Sequence, residues 1–592
     1  FISFNNFPAE DLTYKLIVDS HEDSAMYFHY IKSVLNLNFN NNFSPDINEK
    51  GLMVVPIGSI IFHALGFKLL GIQSFIVLEF FAIFSFLTIF FLIFKKFEVS
   101  DIFALSLSSI MFVSPAIFSS LNFLNIEEIN TFSNNFYNLR FPRPMVAQLY
   151  FFLFIYILIK SSVNNFYEKK ILIPLSIILS LSFSSFFFIF INQIISLLII
   201  LVVRYKSKFF EEIKFNKKNI YLSVLVFFLF SLPFLILIIM ANEDYTERLG
   251  VNFIGIEEKL FLIDHYLEKL FRLKALILYF ILIILTIVHK KFFKYNFEII
   301  KIFIFIFISS ILSPIFFIIL SSKVTFLYHF NNIVIISIIL LMISFLVTFS
   351  SEILSRYQNK ALYNFFFISI ILLSIIFFNF ENLKDKKINK DRIEKNEIIK
   401  LIKKNEKIKL DEATILSFDD DIMTWAILND TKYLKIIDGT FSIRNTNLIE
   451  KDLIETFKFL NLKKEHFESF ISNKKIGYRY LNPEMRQLFW QKYQANSLFT
   501  FKNSKDFEEK TLRFIQNSSP FYVHQFAIPN FELKRLENKF DDINANKNFK
   551  PDIILMNLSK KILNEYSLDE DKYCKVFNSD LYALYFKKDY CE

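Results

Sequence analysis

The chain is poor in the features that announce most soluble enzymes. Its 592 residues include 8 glycines, 13 prolines, 2 cysteines and 2 tryptophans. No P-loop, HExxH, CxxC pair or GxSxG pattern occurs, which argues against an ATPase, a zinc protease, a thiol redox protein and a hydrolase. No basic, aromatic-interleaved patch points to nucleic acid. No internal repeat is visible. The first residue is Phe1, and Phe1 to Asp19 lacks the basic-then-apolar pattern of a signal peptide. The simplest explanation is a missing N-terminus, such as a first membrane helix.

What the chain does have is apolar length. It is 53% hydrophobic and 18% aromatic, with mean hydropathy +0.38. The 80 phenylalanines read as the imprint of an AT-rich genome rather than as an aromatic code. Apolar runs of about 18 residues or more recur, and runs that long are membrane helices rather than core helices. We expect ten spans: 70–94, 101–124, 144–160, 171–187, 188–203, 219–241, 273–289, 299–321, 327–349 and 362–380. The short pair 171–187 and 188–203, around Asn192 and Gln193, is expected as a tight hairpin or a re-entrant pair.

Charge sorts the loops. Segments 95–100, 161–170, 204–218, 290–298 and 350–361 hold basic residues including Lys95, Lys96, Lys169, Lys170, Arg204, Lys214, Lys290 and Arg356. The alternate loops are longer in total and more sparsely basic, so the positive-inside rule places the first set in the cytoplasm. Beyond Phe380 the composition turns to Lys, Glu, Asn and Asp. Residues 381–410 read as a charged helical linker, and 411–592 as a soluble domain in which strands such as "ATILSFDDD" and "PDIILMN" alternate with helices. The expected fold is therefore mainly α: a polytopic membrane helix bundle over 1–380, with outer loops 1–69, 125–143 and 242–272, followed by a C-terminal extracytoplasmic α/β domain.

The outer loops carry the candidate chemistry. In "VDSHEDSAMYFHYIKSVLN", Val18 to Asn36, helical spacing puts Asp19, Asp23, Tyr27 and Tyr30 on one face, with Glu22, Met26 and His29 beside it. The aromatic face is suited to a membrane interface. A carboxylate there is placed to act as general base; the blander alternative is acidic compensation of a helix dipole. The loop and Pro56-initiated apolar helix of "INEKGLMVVPIGSIIFHALGF" follow. In the second loop, Glu127 and Glu128 precede Arg140 and Arg143, with Pro142 and Pro144 stiffening the chain. Two guanidinium groups so framed suit a phosphate, or else snorkel to lipid headgroups. In "SSKVTFLYHFNN", Lys323 is a cation at the mouth of a span and His329 a polar group within its start, able to orient a sugar or phosphate or simply to hydrogen-bond in the packing. Asp264 and His265, in loop 242–272, read as part of an exposed face of an interfacial helix. Asp419, Asp420 and Asp421 could hold a divalent metal, but acceptor recognition or a helix N-cap is the better reading. Cys574 and Cys591 are positioned for a disulfide if the tail is extracytoplasmic.

An acidic pair, an amphipathic helix ending near Asn36, a loop and a proline-containing apolar helix together resemble the first outer loop of the GT-C glycosyltransferases. These polyprenyl-phosphate-sugar-dependent enzymes include protein O-mannosyltransferases, aminoarabinose transferases and oligosaccharyltransferases. The resemblance implies a multi-pass protein of the bacterial inner membrane and makes Asp23 the catalytic base, with Glu22 second. It implies a polyprenyl-phosphate-linked sugar donor and a glycan, lipid or protein acceptor in the cell envelope, with membrane lipids as surroundings. Some members use a divalent cation; the sequence demands no cofactor. The rival readings are a transporter or flippase of lipid-linked sugar and a non-catalytic envelope-assembly protein.

Overall fold

The computed structural model describes residues 11–19, 24–40, 50–121, 145–163, 166–243, 252–253, 256–292, 297–321, 323–324, 328–355, 368–369, 390–433, 443, 446–471, 530–544, 549–559 and 565–591. Two short helices come first, α1 (Leu12–Asp19) and α2 (Ser24–Leu35), then α3 (Ile57–Leu70). The bundle helices are α4 (Ser74–Lys95), α5 (Asp101–Leu121), α6 (Met145–Val163), α7 (Lys169–Phe183) and α8 (Phe187–Tyr205). They continue through α9 (Phe209–Phe215), α10 (Lys217–Ile239), α11 (Ile256–Leu270), α12 (Leu273–Phe292), α13 (Phe297–Leu320) and α14 (Tyr328–Ser355).

Every expected span coincides with a helix except 362–380, of which only residues 368 and 369 are described. Among the described residues six helical segments are long and apolar enough to cross a membrane. The pair 171–187 and 188–203 forms a helical hairpin, α7 and α8, turning at Ser184–Phe186. The first segment bends at Gly71, whose φ of 58° lies in the left-handed region that glycine tolerates. Helix α3 thereby folds back so that Gly66 lies against Ser74 and Leu78 of α4.

Contacts sort the helix ends into two sets. At one end Arg204 donates to Ser161 O at 2.8 Å, Asn219 donates to Tyr167 O at 3.0 Å, and Lys95 pairs with Asp101 at 2.7 Å. This is the lysine-rich end. At the other, Leu52 donates its N–H to Met240 O just past α10 and accepts at its carbonyl from Asn242 N. There too β1 (Asn252–Phe253) pairs antiparallel with β2 (Lys323–Val324). Helix α11 runs antiparallel along α13, with Lys259 donating to Ile319 O and Tyr266 donating to Ile311 O. Pro314 removes the N–H that would continue the α13 ladder nearby. Asp264 is exposed, as an outward charged face requires; the side chain of His265 lies outside the described set.

The C-terminal domain comprises α15 (Lys390–Lys404), β3 (Thr414–Ser417), α16 (Asp420–Leu428), β4 (Lys432–Tyr433), α17 (Thr446–Phe459), α18 (Lys464–Ile471), α19 (Asn530–Asp542), β5 (Ile553–Asn557), β6 (Tyr573–Asn578) and β7 (Tyr582–Lys587). The sheet order is β4-β3-β5-β7-β6, parallel among the first three strands and antiparallel beyond. Alternation divides it into two faces. Ile415, Ile553, Leu555 and Leu584 face the core that holds α15 and α16, whereas Leu416, Ile554, Met556 and Ala583 face α17, α18 and α19. A disulfide joins Cys574 to Cys591.

Two expectations are corrected here. The stretch expected as a linker contains α15, whose Ile398, Ile399 and Ile402 are fully buried, so it is an integral layer of the domain. The face bearing Tyr27 and Tyr30 does not meet lipid. Both rings are buried in the core that α1, α2 and α3 share with α15 and α16, because the C-terminal domain covers them.

Candidate active site

At the end that holds Leu52 and Asn242 the starts of three helices meet around one glycine. Gly58, in the first turn of α3, donates its N–H to Ser184 O at 3.1 Å, and its carbonyl accepts from the Tyr150 hydroxyl of α6 at 2.6 Å. A Cβ at this position would collide with Leu181 O and Ser184 Oγ, so only glycine lets α3 approach the α7–α8 turn. Ser59 and Ser185 join their hydroxyls beside it. The same turn supplies Phe186, which with Phe188 brackets His329 at the start of α14, at centroid distances of 4.9 and 5.0 Å.

Beneath this junction several polar groups bond from helix to helix. Gln193 donates to Tyr150 O at 3.4 Å, Asn192 donates to Ser309 Oγ at 3.0 Å, and Ser180 bonds Ser231 at 2.8 Å. All of these side chains are buried. Hydroxyl and amide groups paired this way join membrane helices; Asn192 Oδ1, Gln193 Oε1 and Ser182 Oγ stay buried without a partner among the described residues.

Helix α2 runs beside α3 in the same direction. Phe28 meets Phe75, which stacks on His63, while Lys32 lies 5.4 Å from the centre of the Phe67 ring. The beginning of α2 is thereby directed toward the beginning of α3. Of the expected site residues, His329 is placed at the junction and Lys323 is in β2, with a side chain that lies outside the described set. Glu22, Asp23, Glu127, Glu128, Arg140 and Arg143 lie outside the described residues. Their connections are described, however. Asp23 immediately precedes α2, and Arg143 lies two residues before α6 begins at Met145.

The triple aspartate has a different use from metal binding. Asp419 caps α16 by accepting from Ile422 N at 3.1 Å. Lys395 of α15 is buried among carboxylates, 2.9 Å from Asp419, 2.8 Å from Asp421 and 3.2 Å from Asp391. The Tyr582 hydroxyl lies 2.5 Å from Asp391 and 3.1 Å from Asp419. Burial alone would push Lys395 down, but Asp419 and Asp421 outweigh it and hold the ammonium charged, well above its ordinary range. Among the described residues no group of three or more His, Cys, Asp or Glu is arranged to hold a metal ion.

No protein-family model matches the chain, and no curated protein matches it. Among solved structures it is similar to ArnT from Cupriavidus metallidurans bound to undecaprenyl phosphate, at 8% identity and a TM-score of 0.37, over 97% of this chain and 96% of that one. The apo form of the same protein gives 8% identity and a TM-score of 0.36, over 97% and 95%. A likeness at such scores carries no weight for the function.

Proposed function

We propose that this protein is an integral-membrane glycosyltransferase that moves a sugar from a polyprenyl-phosphate donor to a cell-envelope acceptor at the outer face of the inner membrane. One observation supports this most: the helices that begin just after Asp23 and Arg143, and the helix that carries His329 in its first turn, start at or point toward the same Gly58–Ser184 junction. In the reaction, the Asp23 carboxylate, with Glu22 beside it, takes the proton from an acceptor hydroxyl. The acceptor oxygen attacks the anomeric carbon as the carbon–oxygen bond to phosphate breaks, with inversion, and the polyprenyl phosphate departs with the electron pair. Arg140 and Arg143, assisted by Lys323 or His329, meet the charge that develops on that phosphate, where fixed cations lower the barrier most. Glu127 and Glu128 orient the arginines. The C-terminal domain lies on the outer side.

Leaving-group charge is met by side chains in this scheme, so transfer is expected to persist in EDTA. The decisive experiment is Asp23→Asn in purified protein, assayed for transfer from polyprenyl-phosphate sugars. Loss of transfer by a thousandfold or so, the scale of a missing general base plus misorientation, is expected. Undiminished transfer removes Asp23 from the role. A transporter would need charged groups through the depth of the bundle, whereas the ionisable residues of the sequence collect in the loops between the spans.

A further inference from the structure

Helix α2 is anchored to a domain some four hundred residues away. Lys32 is buried, yet it extends to the C-terminal end of α16, 2.7 Å from Asp430 Oδ1 and 3.5 Å from Leu428 O. Its counter-charge comes from a carboxylate that is itself half exposed. Asp430 supplies it from an unusual backbone position. Its N–H bonds Ile427 O at 3.1 Å, the N–H of Thr431 bonds Ala426 O at 2.9 Å, and its own φ is 64°. This is the helix ending whose left-handed residue is most often glycine. The backbone alone therefore favours glycine at 430, and the bond to Lys32 gives aspartate its reason to be there. At the other end of α16 the carboxylate of Asp420 faces His29. Asp11 at the head of α1 pairs with Lys403 of α15, and its N–H bonds Asn396 Oδ1 at 3.2 Å.

From this geometry we infer that the C-terminal domain is a clamp for the N-terminal segment. The Lys32–Asp430 pair holds α2 on α16 and so positions residues 22 and 23, which lead directly into α2. The consequence for the reaction rests on the role proposed for Asp23; the clamp itself does not. Lys32 and Asp430 touch no substrate and act as positioning residues.

The test uses the full chain in nanodiscs, with Asp430→Gly and Lys32→Met examined separately. Glycine suits the left-handed position, so α16 keeps its ending and the domain stays folded. Amide exchange across Tyr27–Leu35 is expected to accelerate tenfold or more in both variants, while the α7–α8 hairpin is unchanged. For sugar transfer, kcat is expected to fall about tenfold with KM for the donor within twofold. Unchanged exchange in α2 of Asp430→Gly overturns the clamp. Faster exchange with unchanged kcat overturns the positioning role. A wild type that transfers no sugar from any polyprenyl-phosphate donor overturns the function proposed above, and the exchange result then decides the clamp by itself.

Discussion

The hydroxyl of Tyr150 donates to the carbonyl of Gly58 across 2.6 Å, fastening the start of α6 to the start of α3. Both groups are buried, so their complementarity sets how closely the two helices approach. Gly58→Ala is expected to force α3 away from Leu181 and Ser184, at a cost of about 1–3 kcal/mol. Tyr150→Phe removes one hydrogen bond and costs about 1 kcal/mol. Thermal unfolding in detergent distinguishes them: equal shifts in Tm for the two variants would mean that steric closeness at Gly58 is not what the junction depends on.

Lys395 is the centre of a second construction, three carboxylates and a tyrosine around one buried ammonium. Lys395→Met leaves Asp419 buried with no cation, and breaking a buried pair from one side costs about 3–5 kcal/mol. Adding Asp419→Asn to that variant is expected to recover part of the loss, because the stranded charge is removed along with its partner. Denaturant unfolding of the full chain, followed by tryptophan fluorescence, measures both. Strictly additive losses would show that Lys395 and Asp419 do not depend on one another.

How much of this could be read in advance follows from the range of the interactions. The spans are local: a run such as Phe297–Leu320 announces itself, and the α7–α8 pair is legible as two short elements, though its turn lies at Ser184–Phe186 and Asn192 and Gln193 are inside α8. Helix α15 reads as a linker because Lys390–Lys404 is dominated by charge. Its Ile398, Ile399 and Ile402 stripe is brief, and its Lys395 finds carboxylates only after folding. Asp19 lies in α1 and Tyr27 in α2, while Glu22 and Asp23 between them lie outside the described residues. The union of α1 and α2 with α16 was invisible: Lys32 and Leu428 are 396 residues apart, and nothing in either segment names the other. Of the candidate site, His329 is placed, and the acids and arginines are approached only through the helices they precede.

His29 gives the contact between α2 and α16 a pH dependence. Burial holds its imidazole down to about 3 from 6.5, opposed in part by the carboxylate of Asp420. The folded state keeps the ring neutral while the unfolded chain protonates it below 6.5, so stability is lost as pH falls from there toward 3. Between pH 7 and pH 5 the loss is about 2 kcal/mol. His29→Gln is expected to flatten this interval by the same amount. An unchanged slope between pH 7 and pH 5 would place the dependence on another group.

The disulfide between Cys574 and Cys591 ties strand β6 to the chain just past β7, closing a loop with a sequence separation of 17. A loop of that size restricts the unfolded chain by about 3 kcal/mol, so Cys574→Ser is expected to lower the stability of the C-terminal domain by that order. Whether the bond is formed in the cell tests the proposed outer placement of the domain, because reducing cytosol does not sustain such links. In intact spheroplasts both thiols are expected to resist a membrane-impermeant maleimide until a mild reductant is added, and to react fully afterwards. Helices α1 and α2 share one buried core with α15 and α16, so whichever side the cysteines occupy, the segment leading into Ser24 occupies too. Thiols that are free in fresh membranes and beyond the reach of the impermeant reagent would put Asp23 on the cytosolic face, where an acceptor in the cell envelope could not reach it.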